Sequence, residues 1–471
     1  MRNLMRIVAI GLVMGLAASP ALLAQADLSK YIALGDSLTA GFASGGLMVN
    51  YQKDAYPAIL ARQFGMASFQ QPTVSDPGIP SVMILQALRL TSQGVSPVIV
   101  PKSASTGAPT NATLQGPYHN LGIPGAKVND LLTKTGDIRR LAAGQSTAAT
   151  VMYDLILRDN TTTAIQQAIG AAGTFYTVWI GNNDVLGAVT TGVALDGVTL
   201  TPVAAFQTQY ATLLGALKQN RPNAGIVVAN IPAVTAIPFL TTIKPYLINP
   251  ANGSHIPLIG EQGLLTENDY LTLAASSLIA QGIGVPAAAG GTGRPLPEGS
   301  FDPATGTLTP GVILRAAEVA AIKARHAELN TVIASVASQM GAKVFDANSL
   351  FASILANGYL VGGVKLTASF LTGGLFSYDG VHLQNLGNAV LANEMIKFVN
   401  ARFGTAVPEV NLRSYLMGAA ATTSVLAGST QFSMAAWQNL LAVTVPELAA
   451  GAKLPGPAGA TAAGAGGSRA E

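Results

Sequence analysis

A serine follows a short apolar stretch near the beginning of the chain. Residues 31–42 read YIALGDSLTAGF, which places Ser37 on a Gly-Asp-Ser turn between a predicted strand and a predicted helix. Such a turn can be purely structural, because Gly, Asp, Ser and Thr are common turn residues. It can also present a nucleophile if the fold supplies a histidine base, an acid that orients it and donors for an oxyanion. The absence of cysteine excludes thiolate catalysis and disulfides.

The best candidate for the base is His382, one of four histidines. It lies in YDGVHLQNLGNAVLANEMIKFV, three residues after Asp379. This spacing lets the Asp379 carboxylate accept a hydrogen bond from Nδ1, which leaves Nε2 free to take a proton. The alternative is a capped turn before an amphipathic helix, since an isolated Asp-x-x-His is more often structural. We expect a solvated loop position for His119 and no catalytic role for His255 or His326, which lack a comparable acid.

Two further turns carry groups that can stabilise an oxyanion. The segment VWIGNNDV ends a predicted strand with Asn183, and NLGIPGAKVNDLL places Gly125 at a turn before a predicted helix. A side-chain amide is a suitable donor, and a glycine N–H can approach a ligand closely. Ordinary turn chemistry at strand ends is the alternative for both segments.

The order of these segments resembles the block pattern of the SGNH, or GDSL, hydrolase family. The resemblance covers roughly residues 30–404, and VVANIPAVTAIPFL and HAELNTVIASVASQMGAKVFDANSLF resemble its fourth-strand and fifth-strand units. Asn182 departs from the family pattern, in which many members have a second glycine. No Gly-x-Ser-x-Gly elbow surrounds any serine, which disfavours the ordinary α/β-hydrolase fold. The matching blocks are Gly35-Asp36-Ser37-Leu38, Asn120-x-Gly-x-x-Gly125, Gly181-x-Asn183-Asp184 and Asp379-x-x-His382.

The resemblance implies a role for each of these residues. Ser37 would be the nucleophile and His382 the base, which then protonates the leaving group, while Asp379 would orient His382. The oxyanion hole would consist of the backbone N–H groups of Ser37 and Gly125 and the side chain of Asn183. We expect a helix dipole at Ser37 to favour the negative charge of the acyl-transfer intermediate.

The same resemblance implies a serine esterase or lipase, or a phospholipase-like acyl hydrolase, without cofactor or metal. Asp36 and Asp184 would brace turns. One alternative is a carbohydrate O-acetyl esterase, against which the 6% aromatic content argues mildly. Another alternative is a non-catalytic envelope binding protein, because fold does not dictate function.

The elements that must position these residues follow an α/β pattern. Short apolar runs alternate with longer helical patterns, which indicates a parallel sheet with sites at the carboxyl ends of its strands. We therefore predict a flavodoxin-like three-layer sandwich in which the first and third strands are neighbours. The five predicted strands are Tyr31–Leu34, a weak candidate that precedes Asn120–Ile123, Phe175–Ile180, Gly225–Ala229 and Ala342–Phe345.

Helical patterns and long insertions separate these strands. Val203–Leu217 and Thr309–Met340 are predicted helices, the second with Pro310 near its start and Gly341 past its end. Residues 43–118 form a loop-rich insertion, and residues 241–310 form a second one with a helical pattern at Asn268–Ile279. Leucines in the second insertion could form a lid or an acyl wall, although leucines at helical spacing are more often core.

Both ends of the chain differ in composition from the predicted hydrolase domain at residues 27–405. Residues 1–26 resemble an export signal, with Arg2 and Arg6, an apolar run and a small-x-small cleavage site ending at Ala26. We predict cleavage after Ala26 and a periplasmic or secreted protein. Residues 406–450 are predicted to form a helical extension, and residues 451–471 a disordered Gly/Ala/Pro tail.

Composition restricts the partners. Charged residues make up 10% of the chain, with 26 Lys and Arg against 23 Asp and Glu. No basic cluster occurs, which argues against nucleic-acid binding. We therefore expect a small-molecule or lipid ester as the substrate, with contact to a lipid interface left open and no partner protein evident.

Overall fold

A computed structural model of the protein describes residues 25–91, 94–418 and 431–449. Most of the predicted export signal and the predicted Gly/Ala/Pro tail lie outside the described residues. The strands are β1 (Tyr31–Gly35), β2 (Met83–Thr91), β3 (Gly94–Pro101), β4 (Asn120–Gly122), β5 (Phe175–Trp179), β6 (Gly225–Ala229), β7 (Tyr246–Ile248), β8 (His255–Pro257), β9 (Ile259–Gly260), β10 (Gly263–Leu264), β11 (Tyr270–Leu271), β12 (Ser300–Asp302), β13 (Thr307–Thr309), β14 (Ile313–Leu314), β15 (Lys343–Phe345), β16 (Tyr359–Val361), β17 (Val364–Leu366) and β18 (Gln431–Phe432).

The helices connect and cover these strands. They are α1 (Ser37–Ala40), α2 (Val49–Gln52), α3 (Tyr56–Gln63), α4 (Val128–Thr133), α5 (Ile138–Ala142), α6 (Val151–Ile156), α7 (Ala164–Gly170), α8 (Asn183–Thr191), α9 (Val203–Asn220), α10 (Pro238–Thr241), α11 (Ala275–Ile279), α12 (Ala316–Met340), α13 (Ala347–Asn357), α14 (Asn385–Phe403), α15 (Leu412–Gly418), α16 (Met434–Thr444) and α17 (Pro446–Ala449). A short 3₁₀ turn spans Ala287–Ala289.

A five-stranded parallel sheet lies at the centre, in the order β15-β6-β5-β1-β4. Strand β1 therefore lies between β4 and β5, and the later strands of the sheet are added on both sides of it. This is the flavodoxin-like order, with its switch point at β1. Four of the predicted sheet strands are confirmed where they were predicted. The weak second candidate was placed too early in the chain, because Asn120–Gly122 itself pairs with β1 as the three-residue strand β4. The predicted fold class is confirmed.

Apolar side chains on both sides of the central strands give the sheet two buried faces. Ile32 and Leu34 of β1 belong to a core cluster with residues of α9 and α12. Tyr31 and Ala33 belong to a second cluster on the opposite face, with residues of α3 and α14. Because successive side chains of a strand point to opposite faces, the sheet is covered by helices on both sides. The result is three layers.

The carboxyl ends of the three strands at the switch point lie side by side. Gly35 pairs with Gly122 of β4 and with Trp179 of β5. A Cβ on Gly35 would overlap the carbonyl oxygen of Trp179 and the side chain of Thr39, so glycine is required where β1 turns into α1. The turns that follow β1, β4 and β5 therefore meet at one edge of the sheet.

Each of the two predicted long helices has one boundary where it was predicted. α9 matches its prediction with three further residues, and α12 ends at the predicted Gly341, whose φ is 69°. The predicted start of α12 at Thr309 was wrong. Thr307–Thr309 pairs with β12 instead, and the helix begins at Ala316, where Glu318 accepts a hydrogen bond from the Arg315 N–H at 2.9 Å.

The first insertion is more regular than predicted. Residues 43–118 contain α2, α3 and the antiparallel pair β2–β3, so the loop-rich expectation was wrong for 83–101. Within the second insertion, β7–β8, β9–β10 and β12–β13 form short antiparallel pairs. The helical pattern predicted at Asn268–Ile279 holds only for α11, because Tyr270–Leu271 pairs with β14.

The described part of the segment at residues 406–450 contains three helices and one strand. It comprises α15 and, after a gap in the description, β18, α16 and α17. Strand β18 pairs parallel to β3 of the first insertion. Within the described ranges, no helix is both long and apolar enough to cross a membrane.

Candidate active site

Ser37 is the first residue of α1, directly after the end of β1. The Asp36 carboxylate caps this helix by accepting the Leu38 N–H at 3.0 Å, and Gly41 ends the helix with a φ of 75°. Helix α1 is a single turn, so its macrodipole contributes less than the sequence alone suggested. The Ser37 side chain lies in a buried position, with 5% of the residue exposed.

Ser37, His382 and Asp379 form one chain of hydrogen bonds. The distance from Ser37 Oγ to His382 Nε2 is 2.8 Å, and the distance from His382 Nδ1 to the Asp379 carboxylate is 2.9 Å. The serine and the histidine are 345 residues apart in sequence. All three residues are buried, and the His382 ring lies 4.9 Å from the ring of Phe42.

The surroundings of Asp379 fix the tautomer of His382. Burial alone would raise the pKa of Asp379, but the charge of His382 and the hydrogen bonds from its ring and backbone outweigh burial and lower the pKa. The carboxylate is therefore ionised and can only accept, so Nδ1 of His382 carries the proton. In the neutral imidazole Nε2 is then an acceptor, to which the Ser37 hydroxyl can donate.

Two backbone donors outside the predicted site also hold Asp379 in place. The Gly45 N–H donates to Asp379 Oδ2 at 2.9 Å, and the Val381 N–H donates to Oδ1 at 2.9 Å. The Ser377 hydroxyl donates to Oδ1 at 3.1 Å and accepts the Ser44 N–H at 2.8 Å. Sequence reasoning missed Ser44 and Gly45, because no local pattern links residues more than 330 positions apart. It also missed Ser377, although this residue lies only two positions before Asp379.

The three predicted oxyanion donors lie on the turns that meet at the switch point. Asn183 begins α8, and its Nδ2 donates to the Ala126 carbonyl at 3.0 Å, which ties this side chain to the Gly125 turn. The Ile123 N–H donates to the Gly35 carbonyl at 2.9 Å, which ties the same turn to that of Ser37. Among the described residues, Asn183 Nδ2 has no second acceptor, so one N–H of this amide is available.

The backbone N–H groups of Ser37 and Gly125 are also available. Among the described residues, neither group has a hydrogen-bond acceptor, although both residues are buried. Buried N–H groups are almost always paired. Two buried donors without partners, beside an amide with one spare N–H, are what a site for a developing oxyanion requires.

Asp36 and Asp184 bind neighbouring turns. Asp36 accepts the Asn182 amide at 2.8 Å, and Asp184 accepts the Val128 N–H at 3.1 Å and the Thr201 hydroxyl at 2.7 Å. Burial raises the pKa of each carboxyl to about 6, against the opposing effect of these hydrogen bonds. Asn182, the departure from the family pattern, therefore directs its side chain to Asp36 and joins the turns after β1 and β5.

The other three histidines have partners away from Ser37. His119 was expected in a solvated loop, but it is partly buried, and its Nδ1 accepts the Gln70 N–H at 2.9 Å. His255 lies 2.6 Å from the Glu267 carboxylate, and His326 lies 2.7 Å from the Ile231 carbonyl.

Several solved structures are similar to this chain, each at low identity. A lipase/acylhydrolase from Enterococcus faecalis is 12% identical, with 79% of this chain and 96% of that chain covered and a TM-score of 0.30. Phospholipase A1 from Streptomyces albidoflavus NA297 is 15% identical, with coverage of 80% and 99% and a TM-score of 0.32. A family 3 carbohydrate esterase from Clostridium thermocellum is 14% identical, with coverage of 79% and 97% and a TM-score of 0.30.

The comparison of sequences gives the family. No curated protein matches the chain. The profile of GDSL-like lipases and acylhydrolases matches residues 31–395, a range that begins at β1 and ends within α14. This range contains Ser37, the turns after β4 and β5, and the Asp379–His382 turn. The chain belongs to the GDSL-like lipase/acylhydrolase family.

Proposed function

We propose that the protein is a serine hydrolase that cleaves carboxylic esters through an acyl-enzyme intermediate. The observation that carries this proposal is the 2.8 Å distance from Ser37 Oγ to an Nε2 of His382 that is free to accept a proton. Membership of a lipase and acylhydrolase family supports ester hydrolysis as the reaction class. Ser37, His382 and Asp379 are the proposed catalytic residues, and no step needs a metal or a cofactor.

The first half of the reaction acylates Ser37. Ser37 Oγ attacks the ester carbonyl carbon while its proton passes to His382 Nε2. Asp379, ionised and 2.9 Å from Nδ1, stabilises the imidazolium that forms. The tetrahedral intermediate then collapses, the bond from carbon to the alcohol oxygen breaks, and Nε2 returns its proton to that oxygen.

The second half releases the acid. A water molecule gives a proton to Nε2 and attacks the acyl carbon, and the bond to Ser37 Oγ breaks as Nε2 protonates it. In both halves a negative charge develops on the carbonyl oxygen. The proposed donors to this oxygen are the Ser37 and Gly125 N–H groups and the second N–H of the Asn183 amide, which need no rearrangement during the reaction.

Asn183→Ala is expected to lower kcat by roughly 10²–10³-fold, the usual cost of losing one oxyanion donor. KM should change little, because the lost interaction forms mainly in the transition state. Steady-state hydrolysis of a p-nitrophenyl ester measures both constants. Asn129→Ala, on the exposed side of α4, is a control for amide removal and should retain the wild-type kcat. An unchanged kcat for Asn183→Ala would remove Asn183 from the proposed oxyanion hole.

The structure weakens one argument for a lipid substrate. Leu271 and Leu273 of the second insertion are fully buried, and Leu265 is 4% exposed, so they belong to the core. Among the leucines of residues 241–310, only Leu264 is strongly exposed. The insertion leucines are therefore mainly structural. The preference of the protein for a given acyl chain has to be measured by direct assay.

Two measurements test the proposal. A fluorophosphonate probe should label the folded wild-type protein at Ser37, and the protein should hydrolyse p-nitrophenyl esters. Parallel assays with p-nitrophenyl acetate, p-nitrophenyl octanoate, a phospholipid and acetylated xylan then assign the substrate class. A sharp optimum at acetate with activity on the xylan would favour the O-acetyl esterase alternative. A folded protein that takes no label and cleaves no ester would instead favour a non-catalytic binding protein.

A further inference from the structure

The C-terminal segment, defined here as residues 431–449, lies outside the range that the family profile matches. It nevertheless contacts the elements that carry the proposed oxyanion donors. A Cβ on Gly125 would overlap the carbonyl oxygen of Val443 in α16. With its φ of 82°, Gly125 is therefore confined both by its own conformation and by the segment.

The same segment packs on α8, the helix that begins with Asn183. The Trp437 indole N–H donates to the Thr190 carbonyl at 3.1 Å. The Thr444 hydroxyl lies 2.9 Å from the Thr190 hydroxyl, and both residues are buried. One short helix thus touches the Gly125 turn and the body of α8.

A third contact leads to the histidine turn. The Phe432 N–H donates to Ser276 Oγ at 2.8 Å, and the rings of Phe432 and Phe239 lie 6.3 Å apart in a T-shaped arrangement. The Phe239 N–H in turn donates at 2.9 Å to the carbonyl of Gly380, which lies between Asp379 and His382. The segment therefore also supports, through Phe239, the turn that holds His382.

The segment is too deeply buried to act as a lid. Exposing its core side chains in every catalytic cycle would cost a large part of the stability of a typical domain. Its pairing with β3, where the Ser433 N–H donates to the Ile99 carbonyl at 3.1 Å, adds a further fixed attachment. The fully or almost fully buried side chains are those of Phe432, Trp437, Leu440, Leu441 and Val443.

We infer that the C-terminal segment is a positioning element of the active site, which holds the Gly125 turn and α8 so that their donors face the developing oxyanion. This inference rests on the proposed function. A misplacement of such donors by about 1 Å can cost up to roughly 10²-fold in rate. Trp437 and Thr444 act through Thr190 of α8 and are positioning residues.

The test is the double variant Trp437→Phe/Thr444→Val, which removes the polar contacts from α16 to Thr190. Thr444→Val keeps the size of its side chain, and Trp437→Phe keeps an aromatic ring but loses buried volume. We expect kcat for a p-nitrophenyl ester to fall about tenfold with KM within twofold of the wild type, since positioning errors appear mainly in the transition state. The rate of fluorophosphonate labelling should fall by a similar factor. Val361→Ala, in the separate small cluster at β16–β17, controls for a general loss of stability.

The outcomes separate this inference from the proposed function. A double variant with a lower melting temperature but the wild-type kcat would overturn the inference and leave the segment a purely structural role. A rise in KM alone would also overturn it, because the segment would then contact substrate and not position donors. If the wild type itself neither hydrolyses esters nor takes the fluorophosphonate, the proposed function fails first.

Discussion

Ser37→Ala is expected to lower kcat for ester hydrolysis by about 10⁵–10⁶-fold, to a residual rate that comes from binding and the oxyanion donors alone. The physical reason is that alanine offers no atom to attack the carbonyl, so the acyl-enzyme cannot form. The measurement is steady-state hydrolysis of a p-nitrophenyl ester, together with fluorophosphonate labelling, which the variant should lose completely.

The structure indicates that this variant keeps its fold. Ser37 Oγ contacts His382 Nε2, and His382 remains bound to Asp379 without it. The melting temperature should therefore change little. Ser277→Ala is a matched control. In the described part of the chain its hydroxyl donates a local hydrogen bond to the Ala274 carbonyl at 3.1 Å and binds no residue of the proposed site, so this variant should keep full activity. Activity of Ser37→Ala above about one hundredth of the wild type would refute Ser37 as the nucleophile.

The sequence predicted the relation between the three donor turns because one topological fact determines it. Once β1 is placed between β4 and β5, the carboxyl ends of the three strands must meet, and Ser37, Gly125 and Asn183 follow those ends. Apolar runs and glycine-containing turns are local signals, so the central strands could be read from the sequence. The helix end at Gly341 is local in the same sense, since this residue adopts a positive φ.

The features that the sequence did not predict are contacts between distant parts of the chain. Thr309, followed by Pro310, was predicted to start a helix, but Thr307–Thr309 pairs with β12, and only that pairing makes it a strand. The Gly45 N–H on Asp379 joins residues 334 positions apart. Val443 against Gly125 is a contact of the same kind. Periodicity and capping describe neighbours in sequence, whereas packing decides these contacts.

Asp379→Asn tests whether Asp379 orients His382, because the variant keeps both Ser37 and His382. We expect kcat to fall by roughly 10⁴-fold, as in a triad whose histidine is held in the wrong tautomer. In this site Oδ1 accepts the N–H groups of Val381 and His382, at 2.9 and 2.8 Å, so the amide oxygen of the variant should take that position. The amide nitrogen then faces His382 Nδ1, which must accept instead of donate.

This reversal moves the imidazole proton to Nε2, which then points at Ser37 Oγ and cannot take its proton. The Gly45 N–H, which donates to Oδ2 at 2.9 Å, would face the new amide N–H, so the variant should also be less stable.

Asp154→Asn is the matched control. Its carboxylate is equally buried and binds Arg140 and Ser146 away from Ser37, so its loss should lower stability without lowering kcat. A kcat for Asp379→Asn within tenfold of the wild type would show that His382 keeps its tautomer without Asp379. The hydrogen bond at Nδ1 would then be structural, and the proposed chain of three residues would reduce to Ser37 and His382.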